Sequence, residues 1–298
     1  MNETLEQRVA AMLTRQVDPA VRAQAQALGE EAGALAVLFY GSNLRSGHLD
    51  GVLDFYVLLP GGAEKGLWPR VSYREWSGGG GTLRAKIATM SLAKFAEACR
   101  GATLDTTIWA RFVQPSALVW RRDDAAEREV SRAIADAART AARLAVALGP
   151  DSGRADDFWR TLFRATYRAE LRVEPAGRED TILAANAEHF AGLLPAALVS
   201  EGVAFGQDGS TLTPRVDEGE RRKVRQWWRT RRRAGKWLNA ARLLRAAGTF
   251  DGAARYAAWK IERHTGVAVP LTPWRERHPV LAAPGVLWRV WRQRKPVR

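Results

Sequence analysis

Residues 39–60 read FYGSNLRSGHLDGVLDFYVLLP, and two short apolar runs sit around that stretch: LAVLFY (35–40) and VLDFYVLL (52–59). Both have the length and the β-branched and aromatic content of strands, and Pro60-Gly61-Gly62 ends the second. The connection GSNLRSGHLDG is too short for a full crossover helix but long enough for a turn and one helical turn. Gly41 lacks a Cβ, so backbone can approach a ligand there, and the amides that follow can donate to phosphate oxygens at a helix start. Asp54, alone among the apolar residues of the second run, can then hold a Mg²⁺ that bridges the same phosphates. The plain alternative for Asp54 is a solvated residue at a strand edge.

Outward from this stretch, residues 5–33 read as one amphipathic helix, with no proline between Ala20 and the first strand. SGGGGT (77–82) forms a flexible tip; LRAKIATMSL (83–92) and, past a helix near 92–100, TIWARFVQPSALVW (107–120) both have strand character. From Asp123 the composition turns to Ala, Arg and Leu at helical spacing, broken by loops at 149–157 and 205–220. The expected fold is therefore α+β: a mixed sheet with helices in 1–122, a mainly helical unit in 123–219, and a basic, tryptophan-rich helical region in 220–298.

The chain has 298 residues and a formal net charge of +14, which points to a polyanionic partner: nucleic acid, an anionic membrane surface or a phosphorylated substrate. The single cysteine, Cys99, excludes an internal disulfide and a Cys-rich metal knuckle, and the four histidines offer no His-x-x-x-His pair. The mixed-charge start lacks the apolar region of a secretory signal and the acid-poor character of a transit peptide. No window reaches the ~18 uninterrupted apolar residues of a membrane span. The expectation is a protein of a reducing compartment, the bacterial cytoplasm given the Ala/Arg-rich composition, peripheral on the inner face of the membrane.

Seven of the twelve tryptophans follow residue 226. Trp227, Trp237 and Trp259 are expected in the core of the helical region. In the last segment Leu287, Val290 and Trp291 fall at i, i+3 and i+4, while Arg289, Arg292 and Arg294 project elsewhere, the pattern of a short interfacial helix on anionic lipid. Trp288 and Trp291, with Arg289 and Arg292, are the expected membrane contacts. A nucleic-acid-binding module also accounts for RRKVRQWWRTRRR (221–233), but leaves Gly41-Ser42 and Asp54 without a role.

A Gly-Ser turn followed about ten residues later by an aspartate in an apolar strand resembles the signature of the DNA-polymerase-β-like nucleotidyltransferases. That superfamily usually has a second aspartate two residues on, where this chain has Tyr56. The pattern more closely resembles the mitochondrial-type phosphatidate cytidylyltransferases, whose motif is Tyr-Gly-Ser followed by a Leu/Ile-Asp-hydrophobic-hydrophobic strand. Three further blocks resemble that family in order. LRAKIATMSL places Lys86 at its motif lysine; WARFVQP places Arg111 and Pro115 but has Gln114 for a lysine; ATYRAELRV places Tyr167, Glu170 and Arg172.

The resemblance implies CTP plus phosphatidate giving CDP-diacylglycerol and pyrophosphate, with Mg²⁺ as cofactor. Gly41 and Ser42 would then cradle the β- and γ-phosphates, Asp54 would bind the metal, and Lys86, Arg111, Tyr167 and Arg172 would bind the triphosphate or the lipid phosphate. It also suggests a winged-helix-like middle part. For a second carboxylate, Asp50 lies about 13 Å from Asp54 along an extended chain, so Glu170 is the better candidate. On a helix Glu170 and Arg172, two apart, do not face each other. The plain alternatives are that Lys86 and Arg111 snorkel from the sheet and that Glu170 lies on a solvated face. A nucleotidyltransferase with another acceptor, such as a sugar, an antibiotic or RNA, uses the same turn and aspartate.

Overall fold

A computed structural model describes residues 3–66, 68–78, 81–170, 177–249, 252–277 and 279–293. Two helices, α1 (Leu5–Leu13) and α2 (Pro19–Glu31), precede the sheet where one was expected. The break is local chemistry: Asp18 caps α2 by accepting from the Ala20 amide at 2.7 Å, and Pro19 opens the helix where its missing N–H costs nothing. Then follow β1 (Ala36–Tyr40), the one-turn α3 (Ser42–Ser46), β2 (Leu53–Leu59), β3 (Arg70–Gly78), β4 (Gly81–Ser91), α4 (Leu92–Cys99), α5 (Thr107–Phe112) and β5 (Ser116–Arg121). The five strands form one mixed sheet in the order β3-β4-β2-β1-β5, with β2 and β4 parallel and the other pairs antiparallel. The fold is thus mixed α+β, as the strand and helix patterns predict.

The segment around Arg111 departs from expectation. TIWARF is the helix α5, not a strand, because Ile108, Trp109 and Phe112 bury together at helical spacing against the core. Only Ser116–Arg121 continues into the sheet.

The helical part begins with α6 (Asp124–Leu148), capped by Asp123, whose carboxylate accepts from the Ala126 amide at 2.8 Å. Its alanines let α4 and α5 pack closely on one side and α7 (Ala155–Ala169) on another. The short α8 (Arg178–Ala185), α9 (Ala187–Phe190) and α10 (Leu193–Ser200) follow. Both expected loops hold strands: β6 (Gly153–Arg154), β7 (Phe205–Asp208) and β8 (Thr211–Pro214) make a three-stranded sheet in the order β6-β8-β7, turned at Gly209 with φ +56°. The C-terminal region comprises α11 (Glu218–Thr249), α12 (Ala253–Thr265), α13 (Pro273–Arg277) and α14 (Pro279–Gln293).

Two apolar clusters sandwich the sheet. Leu53, Phe55 and Val57 of β2 face α2 with Val21, Ala25 and Leu28, whereas Tyr56 and Leu58 face the larger cluster shared with α1, α4, α5, α6, α7 and α10. That larger core runs unbroken across the expected boundary at residue 123 and reaches Trp228 on α11. Among the described residues no single helix is long and apolar enough to cross a membrane.

His189 pins α9 to the end of α5, its Nε2 lying 2.8 Å from the Val113 carbonyl. Burial, opposed by that carbonyl, pushes its pKa down from 6.5 to about 4. The folded state therefore takes up this proton later than the unfolded one, so stability present above pH 6.5 is lost as pH falls toward 4. Chemical denaturation across that window should show a loss of about 3 kcal/mol in the wild type that His189→Gln does not show.

Candidate active site

The β1–β2 connection is antiparallel, and its register pairs Tyr40 with Asp54. Gly41, the next residue, has φ +92° and ψ −162°, a conformation essentially restricted to glycine. A Cβ there would stand 2.8 Å from Asp54 Oδ2, so backbone passes directly beside the carboxylate. Asn43 holds the loop in shape: its Nδ2 donates to the carbonyls of His48 at 2.8 Å and Asp50 at 2.9 Å. Ser42, His48 and Asp50 are exposed. Gly41→Ala combines backbone strain with displacement of Asp54. It should cost about 1–3 kcal/mol of stability in urea unfolding and remove most of any activity that depends on Asp54.

Asp54 lies on the same face of β2 as Tyr56, at the end where the larger core begins. Burial raises its pKa above the ordinary value of 3.8, opposed by Lys86 and then Arg111. Asp54 is half-buried on a strand that lies between β4 and β1, so the solvated strand-edge reading is set aside. Lys86 is its register partner on the parallel strand β4, with Tyr73 of β3 on the far side. Arg111 reaches the site from α5, its Cζ 5.4 Å from the centre of the Tyr40 ring. Burial alone would lower the Arg111 pKa, but Tyr40, Tyr56, Glu170 and Asp54 together raise it. The guanidinium is thus a fixed charge with a carboxylate from each half of the chain in its field.

Glu170 is buried but does not sit on a helix: α7 ends at Ala169, and Glu170 turns away with φ −91° and ψ 138°. Its burial sets aside the solvated-face reading. Tyr167, on the last turn of α7, stacks on Phe163 with ring centres 6.4 Å apart and lies in the field of Arg45 from α3. Arg172 falls outside the described residues. So do the side chains of Trp291 and Arg289, although both positions lie within α14.

Several residues around Asp54 are not assigned to the site by the sequence, and one of them, Trp259, is half-buried rather than in the core expected for it. Tyr256, on α12, has its pKa raised by burial and by the Asp54 charge, and its ring lies 5.4 Å from that of Tyr73. Trp259 is flanked by Arg84 at 5.4 Å and Arg263 at 5.2 Å. Arg263 in turn lies against Gly51, where a Cβ would meet its Nη1 at 3.1 Å. Tyr256, Trp259, Lys260 and Arg263 stand at i, i+3, i+4 and i+7, so the signal was a helical face of alternating rings and cations. Arg242, from α11, donates through Nη1 to Asp105 Oδ1 at 2.8 Å. Trp237, expected in the core, is 79% exposed. Trp228 takes that role instead, in contact with the Trp227 and Trp109 rings.

The arrangement gathers cations around one carboxylate that abuts bare backbone, which suits a phosphate chain carrying a hard divalent ion. Among the described residues no three His, Cys, Asp or Glu side chains come together as a ready metal cage. Asp54 fits a Mg²⁺ that takes one protein ligand and draws the others from phosphate oxygens and water, because Gly41 leaves room beside its Oδ2. Compared with known proteins, the chain matches no family model and no curated protein.

Proposed function

We propose that this protein is a nucleotidyltransferase that moves CMP from CTP to the phosphate of phosphatidate, giving CDP-diacylglycerol and pyrophosphate at an anionic membrane surface. The observation that carries the reading is Asp54, half-buried against Gly41 and flanked by Lys86 and Arg111. Mg²⁺ bound at Asp54 would neutralise triphosphate charge and polarise the α-phosphorus. The Gly41 backbone admits the β- and γ-phosphates, with Ser42 at its edge. Lys86 and Arg111 offset the charge of the leaving pyrophosphate, and Glu170 keeps the Arg111 guanidinium in place. An oxygen of the acceptor monoester attacks the α-phosphorus as the bond to the β-phosphate oxygen breaks. Because that monoester is already anionic near neutral pH, no strong general base is required. Alignment and charge neutralisation supply the rate.

For the membrane, support comes from exposed apolar side chains on the terminal helices and the segment just before them. Leu271 is 40%, Trp274 54%, Leu281 69% and Trp288 57% exposed, and Arg292 Cζ lies 4.7 Å from the Trp288 ring centre. A tryptophan beside an arginine suits the headgroup layer of an anionic leaflet.

The test is pyrophosphate release from each of the four NTPs with Mg²⁺, over vesicles with and without phosphatidate. The reading predicts release with CTP that requires phosphatidate. Release that requires a soluble acceptor would move the chain to another branch of the nucleotidyltransferases. Absence of release with every nucleotide, from folded protein that binds the vesicles, would end the enzymatic reading.

A further inference from the structure

Tyr56 stands where the larger nucleotidyltransferase superfamily has a second carboxylate, and its surroundings indicate a different use of the position. Its side chain is fully buried, yet among the described residues its hydroxyl proton has no acceptor. Arg111 sits beside the oxygen but, as a donor only, cannot accept the phenolic proton. A phenol keeps its proton at neutral pH, so the hydroxyl is a donor in search of an acceptor. The Arg242 charge also acts on Tyr56, and its Cζ lies 5.4 Å from the Trp68 ring centre. Its Nη1 is committed to Asp105, but Nε and Nη2 are buried without a partner, and so is Trp68 Nε1.

Four polar atoms on three neighbouring side chains thus share one property: each carries a hydrogen to donate, and none has an acceptor. Buried donors are paired in the great majority of cases, and an unpaired one costs about 1–3 kcal/mol. Four together on an arginine and its neighbours make a site that lacks only its acceptor. Asp105 does not fill it: of the guanidinium nitrogens only Nη1 donates to Asp105, whose oxygens also receive the Thr107 amide at 3.0 Å and the Thr107 hydroxyl. Nε–H and Nη2–H lie along one edge of the guanidinium plane, the fork that takes two oxygens of a phosphate or carboxylate at once.

We propose that Tyr56, Trp68 and Arg242 form a second oxyanion pocket, beside the Asp54 site, that holds the phosphomonoester of the acceptor. Tyr56 follows Asp54 by two residues on one face of β2, about 7 Å along the strand. A monoester held there would stand next to a nucleotide phosphate bound at Asp54. The anion site follows from the orphaned donors alone; its assignment to the acceptor rests on the nucleotidyltransfer reading above. In a nucleotidyltransferase of this kind the tyrosine would serve the acceptor rather than a second metal ion.

Tyr56→Phe and Trp68→Phe each delete one orphaned donor and keep a ring in place, without disturbing the Arg242–Asp105 pair. Calorimetric titration of the folded full chain with inorganic phosphate, glycerol 3-phosphate and, separately, Mg-CTP reads the pocket directly. Flotation on phosphatidate vesicles then separates a lipid-borne phosphate from a soluble one. Saturable glycerol 3-phosphate binding is expected in the wild type, weakened roughly ten- to hundredfold in each variant, with Mg-CTP affinity unchanged. Unliganded Tyr56→Phe should melt close to the wild-type temperature, because the variant loses the contact with Arg111 but also removes a buried hydroxyl proton that has no acceptor.

Three results would overturn the proposal. The first is no saturable phosphomonoester binding to the wild type; the second is binding undiminished in both variants, which would leave the anion at the Gly41 turn; the third is a Tyr56→Phe protein that melts well below the wild type, which would give the hydroxyl proton an internal acceptor. Weakened Mg-CTP binding in the variants would overturn the acceptor assignment by giving the pocket to the nucleotide. Loss of monoester binding in the variants of a protein that does not bind CTP at all would uphold the pocket and end the nucleotidyltransfer reading instead.

Discussion

Asp54→Asn is expected to lower phosphatidate-dependent pyrophosphate release on the order of 10³-fold while leaving the fold at least as stable as the wild type. The two effects have one cause. Asp54 is ionised in a place that disfavours the charge: burial raises its pKa above 3.8, and Lys86 and Arg111 offset this only in part. A carboxyl whose folded pKa exceeds its unfolded value binds its proton more tightly when folded. Wild-type stability should therefore decline as pH rises from 3.8 through that raised value, and stay lower above it. Asparagine keeps the shape and cannot ionise, so its unfolding midpoint at pH 7 should equal or exceed that of the wild type, and this contribution to the pH dependence should vanish. A variant that loses activity by unfolding would contradict this explanation, and circular dichroism with urea titration distinguishes the two.

Arg111→Met should have the largest effect on stability, a loss of about 3–5 kcal/mol from a total of about 5–15. Methionine replaces the aliphatic stem but leaves Asp54 and Glu170 in a buried site without their shared cation. The loss should shrink as pH falls, since both carboxyls can then take up protons. Arg111→Lys, which keeps the charge but not the planar fork, should retain more stability than methionine and still lose activity. In a double-mutant cycle, adding Asp54→Asn to Arg111→Met should recover part of the lost stability, because one uncompensated charge is gone. Strictly additive effects would mean that Arg111 and Asp54 are not coupled.

What could be read from the sequence was local. Gly41-Ser42 and Asp54 stand close in the chain, and a short connection between two strands leaves few geometries, so their juxtaposition followed from length and alternation. Lys86 joined them only through the resemblance in motif order, and the parallel β2–β4 register brings it beside Asp54. Arg111 was identified but assigned to the wrong element, because a six-residue run rich in Thr, Trp and Phe suits a strand by composition and a helix by spacing. Glu170 was placed on a helix that ends one residue earlier. The contributions of α11 and α12 are legible only as a helical face of rings and cations, not as part of the site. Arg242 meets Asp105 across 137 residues of chain, and Tyr256 reaches Tyr73 across a still longer span. Nothing local to RYAAWKIER distinguishes a helix face turned to a site from one turned to lipid.

The Arg- and Trp-rich end illustrates the same limit. Its composition suggests a core for Trp237 and a membrane contact for Trp288; both are exposed, so only the first departs from expectation, and Trp228 packs against Trp227 and Trp109 instead. Helical spacing shows which residues share a face; tertiary packing decides what that face meets.

The most direct test of the central claim follows the transferred group itself. CTP labelled at the α-phosphorus is incubated with Mg²⁺, the full-length protein and vesicles containing phosphatidate, and the lipid is extracted. The account predicts label in the lipid phase as CDP-diacylglycerol, dependent on phosphatidate and lost in Asp54→Asn. Label that stays in the aqueous phase, with folded wild-type protein sedimenting on the same vesicles, would contradict it.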